Sequence, residues 1–166
     1  MRIKTDNSPL IYGIGLPRTG TTSLARALNS MGIKTNHSCM LQGDTISNSR
    51  NFIQFESLVD NAFFGSYKDL AQESEKSQFI LTTRCPSSWK RSIERFPSAV
   101  DFLPDIRSYE KEVTNFFKSR KAAHRLLVIN IFEDDKSLQK VAEFVGITNI
   151  EGPFPHIKKE NEENKK

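Results

Sequence analysis

The apolar positions of the chain form short β-type runs that alternate with longer stretches of helical spacing. Five runs are predicted as strands, at residues 10–14, 33–36, 57–60, 78–83 and 125–131. Five segments are predicted as helices, at residues 22–31, 63–73, 86–96, 106–124 and 136–145. Such alternation predicts a three-layer α/β/α domain with a central, mainly parallel sheet and right-handed crossovers.

The pattern also predicts where individual elements end and which are buried. Gly32 and Gly146 stand where C-terminal helix caps belong. The runs at 78–83 and 125–131 are apolar enough to be expected as buried strands. A chain of 166 residues can bury one core, so we predict a single domain over residues 1–157. Residues 158–166 are charged or amide-bearing and are predicted to be a disordered tail.

Composition narrows the class of protein. With 37% hydrophobic and 27% charged residues the chain reads as globular. It has neither a stretch of membrane-spanning length nor an apolar segment like that of a secretory signal, so a cytoplasmic location without a membrane partner is expected. The cysteines Cys39 and Cys85 form neither a disulfide framework nor a metal-ligand pattern, and no metal site is expected.

The net charge of +4 is modest, but basic residues concentrate in two places, the loop at residues 15–23 and the segment 84–95. Positive charge at these two places suits an anionic small molecule. Nucleic acid is not expected as a partner, because the phenylalanines fall in periodic patterns typical of a core rather than in an exposed basic stripe.

Residues 15–23, Gly-Leu-Pro-Arg-Thr-Gly-Thr-Thr-Ser, follow the first predicted strand and have the spacing of a phosphate-binding loop. The usual nucleoside-triphosphate loop reads G-x-x-x-x-G-K-[ST]. Gly15 and Gly20 fit that frame, but Thr21 stands at the lysine position and the loop's one cation is Arg18. The residues Thr21, Thr22 and Ser23 open a helix whose first N–H groups lack partners and favour an anion.

A second basic position follows the strand predicted at 78–83. Ligands of parallel α/β sheets bind beyond the carboxyl ends of the strands, and Arg84 stands there. Ser92 lies about two helical turns further on. An arginine fork and a hydroxyl suit a second phosphate.

These two motifs resemble those of sulfotransferases that use 3′-phosphoadenosine 5′-phosphosulfate (PAPS). The first loop resembles the family's 5′-phosphosulfate loop, and Arg84 with Ser92 resembles its 3′-phosphate motif. The chain is particularly similar to a subgroup with G-L-P-R-T-G-T, a histidine after the next strand, a V-D pair and R-D-P-x-S-W, matched here by His37, Val59-Asp60 and residues 84–89. It departs from the pattern at Cys85, where aspartate or asparagine is usual, and in its short length.

The resemblance implies a fold like that of P-loop NTPases and a set of functional residues. The donor PAPS, and its product 3′-phosphoadenosine 5′-phosphate (PAP), would be bound by Pro17, Arg18, Thr19, Gly20, Thr21, Thr22, Ser23, Arg84 and Ser92. Arg18 would stabilise charge on the departing phosphate. His37 and Asp60 are the main candidates for the catalytic base, and Glu56 is a third, less favoured candidate. His37 is favoured because an imidazole titrates near neutral pH.

The expected function is therefore sulfuryl transfer from PAPS, without a metal, to a hydroxyl or amine of a small or glycan-like acceptor. One alternative is a P-loop nucleotide kinase, which would need a lysine in place of Thr21 and an acidic residue where the chain has Arg84. The other is a non-catalytic nucleotide-binding module, which the short chain length supports. Trp89 is open to two interpretations, as a residue flanking adenine or as part of the core.

Overall fold

The computed structural model describes residues 10–37, 55–59, 63–95 and 103–155. Within these residues, five strands form one sheet in the order β2-β3-β1-β4-β5. The strands are β1 (Ile11–Gly13), β2 (Thr35–His37), β3 (Ser57–Val59), β4 (Gln78–Thr82) and β5 (Leu126–Ile129). The helices described are α1 (Thr21–Ser30), α2 (Tyr67–Glu73), α3 (Pro86–Ile93), α4 (Ile106–Ser119) and α5 (Ser137–Phe144).

All four strand pairings are parallel, and β1 occupies the centre of the sheet. Tyr12 in β1 is paired with Leu58 in β3 and with Phe79 in β4. Because parallel strands end at one edge, the chain segments that follow β1, β2 and β4 emerge together. The prediction of an α/β fold with a parallel sheet is confirmed.

The two faces of the sheet are covered by different helices, as alternation of side chains along each strand requires. On one face Tyr12 and Phe79 pack with residues of α2 and α4, chiefly Tyr67, Val113 and Phe117. On the other face the neighbouring strand residues pack with α1 and α5 in a second core of Ile11, Ile80, Leu24, Leu28 and Val141. The predicted helices on both faces are therefore present.

Several elements are shorter than predicted. The predicted helix 106–124 ends at Ser119, because Lys121 adopts a left-handed φ of 55° and the chain turns there. The N–H groups of Lys121 and Ala122 donate to carbonyls of the last turn, those of Lys118 and Phe117. This is the double hydrogen bond of a Schellman cap, here closed by a lysine where glycine is usual. A 3₁₀ turn at Ala123–Arg125 then leads into β5.

Glycine caps were predicted correctly at two other helices. Gly32 and Gly146 have φ of 81° and 77°. After each of them, the N–H of the following isoleucine, Ile33 or Ile147, closes the last turn of α1 or α5. Glycine reaches this backbone conformation without the steric cost that a side chain brings.

The expectation that residues 125–131 form a buried strand was wrong. β5 pairs with β4 alone among the described strands, and Val128 is 36% exposed. Only Ile129 of the strand is fully buried. An apolar run predicts a strand but not the position of that strand in the sheet. Edge strands and central strands both pack apolar side chains against helices, so both give apolar runs in the sequence.

The predicted limits of the domain at residue 157 and the tail at 158–166 lie outside the described residues and stay predictions. Among the helices described, none combines the length and the apolar character needed to cross a membrane.

Candidate anion-binding site

The loop between β1 and α1 has the backbone conformation typical of an anion-binding nest. Arg18 and Gly20 have left-handed φ of 69° and 99°. Left-handed residues interspersed in a turn direct successive N–H groups to one side, which makes an anion-binding nest. α1 begins directly after it at Thr21, and its first N–H groups point out of the helix toward the same region. Thr21 and Ser23 are buried, whereas Thr22 is exposed.

Both glycines of the loop stand where a side chain would meet other atoms. A Cβ on Gly15 would overlap the hydroxyl of Thr82 and come within 2.7 Å of the hydroxyl of Thr19. A Cβ on Gly20 would overlap the side chain of Ile131. The loop therefore passes close to the end of β4 at Gly15, and at Gly20 the left-handed φ of 99° favours glycine in addition to the contact with Ile131.

Thr19 braces the loop from inside. It is fully buried, and its hydroxyl donates to the carbonyl of Leu16 at 2.7 Å and lies 2.7 Å from the hydroxyl of Thr82. Its N–H also donates to Leu16, at 3.2 Å. The N–H and the hydroxyl of Thr19 are thus both engaged within the protein, so the geometry favours a supporting role over the contact with the sulfuryl donor expected for this residue.

The second motif meets the loop. Arg84 follows β4, and its Nη1 donates to the backbone carbonyl of Arg18 at 3.2 Å. The Arg84 Nε donates to the hydroxyl of Ser88 at 2.7 Å. The Nε of Arg18 donates in turn to the hydroxyl of Ser92 at 3.1 Å, and Ser92 is buried. The structure brings together the predicted residues Arg18, Arg84 and Ser92, but Ser92 is hydrogen-bonded to Arg18, and Arg84 is hydrogen-bonded to Ser88 instead.

The site carries concentrated positive charge. Burial lowers the pKa of Arg84, and the neighbouring cations Arg18 and Arg91 lower it further. A guanidinium stays protonated in proteins, so the lowered pKa of Arg84 reports its burial and the like charges beside it rather than neutralisation. In the described part of the chain no carboxylate forms an ion pair with Arg84. An anion bound here would relieve that repulsion.

Two aromatic residues lie at this site. The indole N–H of Trp89, in α3, donates to the carbonyl of Pro17 at 2.8 Å, while its ring is half-buried against the Tyr12 side of the core. Phe132 was not singled out from the sequence. It follows β5 and is 43% exposed. The Arg84 guanidinium lies over its ring, 4.2 Å from the ring centroid, in a cation–π contact. An aromatic residue directly after a predicted strand was the signal that could have found it.

The candidates for the catalytic base are placed differently. His37 is the last residue of β2, and its Nε2 lies 3.2 Å from the Thr22 hydroxyl at the start of α1. Glu56 precedes β3 and accepts a hydrogen bond from the Lys34 N–H at 3.2 Å, so it lies at the amino edge of the sheet, away from the loop. Asp60 lies outside the described residues. Of the described candidates, only His37 is at the loop.

Cys85 is the N-cap residue of α3, and Pro86 is at the first helical position. Its thiol lies 3.3 Å from the Ser87 hydroxyl. That hydrogen bond, with further contributions from the N–H groups of Ser88 and Ser87, lowers the pKa of the thiol. The position is therefore suited to a negatively charged or polar cap.

A parallel sheet whose central strand leads into a nest and a helix N-terminus, with two arginines beside them, defines the class of an α/β protein whose loop geometry suits a phosphorylated ligand. The sequence matches the family model described as a sulfotransferase domain over residues 10–103, more than half of the chain. The chain belongs to this sulfotransferase family, which indicates a transferase acting in sulfuryl transfer. No curated protein matches the sequence significantly.

Proposed function

We propose that this protein transfers a sulfuryl group from PAPS to a hydroxyl or amine of a small or glycan-like acceptor. The observation that carries the proposal is the hydrogen bond from Arg84 to the Arg18 carbonyl. It puts a second anion-binding group beside the nest, and a donor with phosphates on both its 5′ and 3′ positions needs two such groups. An ordinary adenosine nucleotide would use only one of them.

In the proposed complex the 5′-phosphosulfate lies on the nest and the N-terminus of α1. Backbone N–H groups near Gly20 and Thr21, with the Thr22 and Ser23 hydroxyls, are its donors. Arg84 and Ser88 hold the 3′-phosphate, since the Arg84 guanidinium and the Ser88 hydroxyl are already joined at 2.7 Å. Ser92 contributes by orienting Arg18.

The reaction then needs charge stabilisation and a proton acceptor. The acceptor oxygen or nitrogen forms a bond to sulfur while the bond from sulfur to the bridging phosphate oxygen breaks, which releases PAP. Arg18 stabilises the negative charge that develops on that leaving oxygen. His37, at the Thr22 hydroxyl, takes the acceptor proton.

Calorimetric titration of the protein with PAP, AMP, and ATP with Mg²⁺ tests the donor. We expect PAP to bind at least about tenfold more tightly than AMP, because a charged hydrogen-bonded contact contributes about 1.5–3 kcal/mol. Binding of ATP with Mg²⁺ but not of PAP would exclude this donor and favour a kinase. Turnover of PAPS to PAP with a panel of hydroxyl and amine acceptors then tests transfer. Tight PAP binding without turnover on any acceptor would favour a binding module.

A further inference from the structure

Residues 16–19 form a β-turn of an unexpected type for their sequence. The Thr19 N–H donates to the Leu16 carbonyl at 3.2 Å and closes the turn. Pro17 occupies its second position, and Arg18, with φ of 69°, its third. A proline followed by a residue with positive φ is the arrangement of a type II turn, in which glycine or asparagine is normally required at the third position. Arginine carries a steric cost there.

A type I turn would remove that cost. Types I and II differ by a rotation of the central peptide plane, here the Pro17–Arg18 peptide, which takes φ of the third residue from positive to negative. Proline fits the second position of both types. The sequence alone therefore favours type I, and something outside the turn holds it in type II.

The indole of Trp89 is placed to do this. Its N–H donates at 2.8 Å to the carbonyl of Pro17, which is the carbonyl of the rotating peptide. Rotation to type I would swing that carbonyl away and leave the half-buried indole N–H without its acceptor. In the same way, the hydrogen bond from Arg84 to the Arg18 carbonyl holds the next peptide, Arg18–Thr19, in its orientation.

We infer that Trp89 is a positioning residue that locks the Pro17–Arg18 peptide in its type II orientation and so keeps the anion-binding nest formed. In a trans peptide the N–H and carbonyl point in opposite directions, so the Arg18 N–H faces away from Trp89. After rotation a carbonyl would take the place of that N–H and repel a bound anion. The importance of the lock for sulfuryl transfer rests on the proposed function, but the lock itself does not.

A double-mutant cycle with PAP binding as the readout tests the lock. Trp89→Phe keeps an aromatic ring and removes the N–H, and we expect PAP to bind about tenfold more weakly. In an Arg18→Gly background the same change should cost less than about threefold, because glycine adopts positive φ without strain. A role in ring packing would give the same factor in both backgrounds, and that result would overturn the inference.

A second measurement needs no ligand and separates the lock from the donor. Trp89 is the one tryptophan of the chain, so growth on β-(3-benzothienyl)alanine replaces its N–H by sulfur at this position only and preserves the ring's shape. In a type II turn the Pro17 Hα is close to the Arg18 amide proton, and in type I it is not. We expect a strong nuclear Overhauser effect between these protons in the native protein and a weak one after replacement.

The outcomes separate the two proposals. An effect of equal strength in both proteins would refute the lock even if PAP binds as expected. Failure of the native protein to bind PAP would refute the donor, while loss of the Overhauser effect on replacement would still establish the lock. Replacement of the N–H by sulfur also resolves the case in which Trp89→Phe fails to fold, since the bicyclic ring keeps its packing.

Discussion

The Arg84 guanidinium and the Arg18 carbonyl are joined by a 3.2 Å hydrogen bond although the two residues are 66 positions apart. Arg84 donates one hydrogen bond from Nε to Ser88 and one from Nη1 to this carbonyl. A guanidinium has five N–H donors, so Arg84 keeps donors for a ligand while it braces the loop. One side chain thus connects the shape of the nest to the position proposed for the 3′-phosphate.

Removal of Arg84 should affect a bisphosphate more than a monophosphate. We expect Arg84→Ala to weaken PAP binding about 10- to 100-fold, as for loss of a charged hydrogen-bonded contact, and AMP binding less than about threefold. Calorimetric titration measures both. Arg95→Ala is the matched control, since it removes the same charge from an exposed position after α3 that does not contribute to the shifted pKa of Arg84. Equal losses for PAP and AMP would contradict the assignment of the 3′-phosphate to Arg84.

The position of His37 predicts a change in rate without a comparable change in donor affinity. His37→Ala should slow single-turnover sulfuryl transfer about 100-fold, as expected for loss of a general base, while PAP affinity stays within about threefold. Asp60→Asn made in parallel provides the comparison, because both residues were candidates. A slow Asp60→Asn variant beside a fully active His37→Ala variant would assign the base to Asp60 instead.

The close approach of the loop to β4 makes Gly15 sensitive to any side chain. Gly15→Ala should lower the free energy of unfolding by about 1–3 kcal/mol, because its Cβ would overlap the Thr82 hydroxyl and meet the Thr82 backbone carbonyl at 2.9 Å. Urea denaturation gives the value. Gly65→Ala is the control, since a Cβ there meets no atom within 4 Å, and it should change stability by less than about 0.5 kcal/mol. Similar losses in both variants would show that the contact is not the cause.

Arg125 closes the C-terminal end of α2 in a way that lysine cannot copy. Its Nε and Nη2 donate to the carbonyls of Ser77 and Ser74 at 2.8 and 2.5 Å, and its Nη1 reaches the carbonyl of Ala71 at 3.3 Å. Arg125→Lys should cost about 1–3 kcal/mol of unfolding free energy, since an ammonium lacks the planar fork and leaves carbonyls unpaired.

Chemical denaturation of the Arg125→Lys variant is best compared with Arg107→Lys. Arg107 is exposed and makes a single ion pair with Glu110, which lysine can keep. No measurable change is expected for this control. If Arg125→Lys also left the free energy of unfolding unchanged, the three carbonyls would be hydrogen-bonded to water instead and the guanidinium fork would be unimportant.

The N-terminus of α4 should contribute a pH-dependent part of stability. The Asp105 carboxylate accepts the Ser108 N–H at 2.8 Å, and this bond is the main cause of the lowered pKa of Asp105. Because the folded pKa is depressed, the stabilisation is fully present above the unfolded value of about 3.9 and is lost as the pH falls through the folded value. Asp105→Ala should therefore lower the melting temperature by about 2–4 °C at neutral pH, and the difference should vanish on acidification.

Thermal melts of Asp105→Ala and Asp105→Asn over the acid range check this. Asparagine also caps helices but does not titrate, so the stability of Asp105→Asn should be insensitive to the protonation that affects the native protein. A constant difference between Asp105→Ala and the native protein down to low pH would show that the charge on Asp105 plays no part.

Local sequence signals were enough for much of this fold. The alternation of apolar runs predicted the layers, and Gly15, Gly20 and the residues after them predicted the loop, because each signal acts over a few neighbouring positions. The caps at Gly32 and Gly146 were predictable for the same reason.

What could not be predicted depends on how distant elements pack. The rotation of α3 against the loop decides that Ser92 meets Arg18 and that Ser88 meets Arg84, and nothing near these residues in sequence specifies it. The position of β5 at the described edge of the sheet likewise depends on strand order rather than on its own apolar residues. The left-handed φ of Arg18 opposes local preference, so only tertiary contacts explain it.

The central position of β1 has a consequence for how the protein is made. β1 is synthesised before both of its neighbours, which begin at Ser57 and Gln78, and the nest is braced by residues as late as Trp89. The hydrogen bond from Trp89 to the loop can therefore form only after residue 89 and the tunnel length beyond it have left the ribosome. A nascent chain stalled before α3 would carry the glycine loop in full and still lack Trp89, the hydrogen-bond donor to the Pro17 carbonyl.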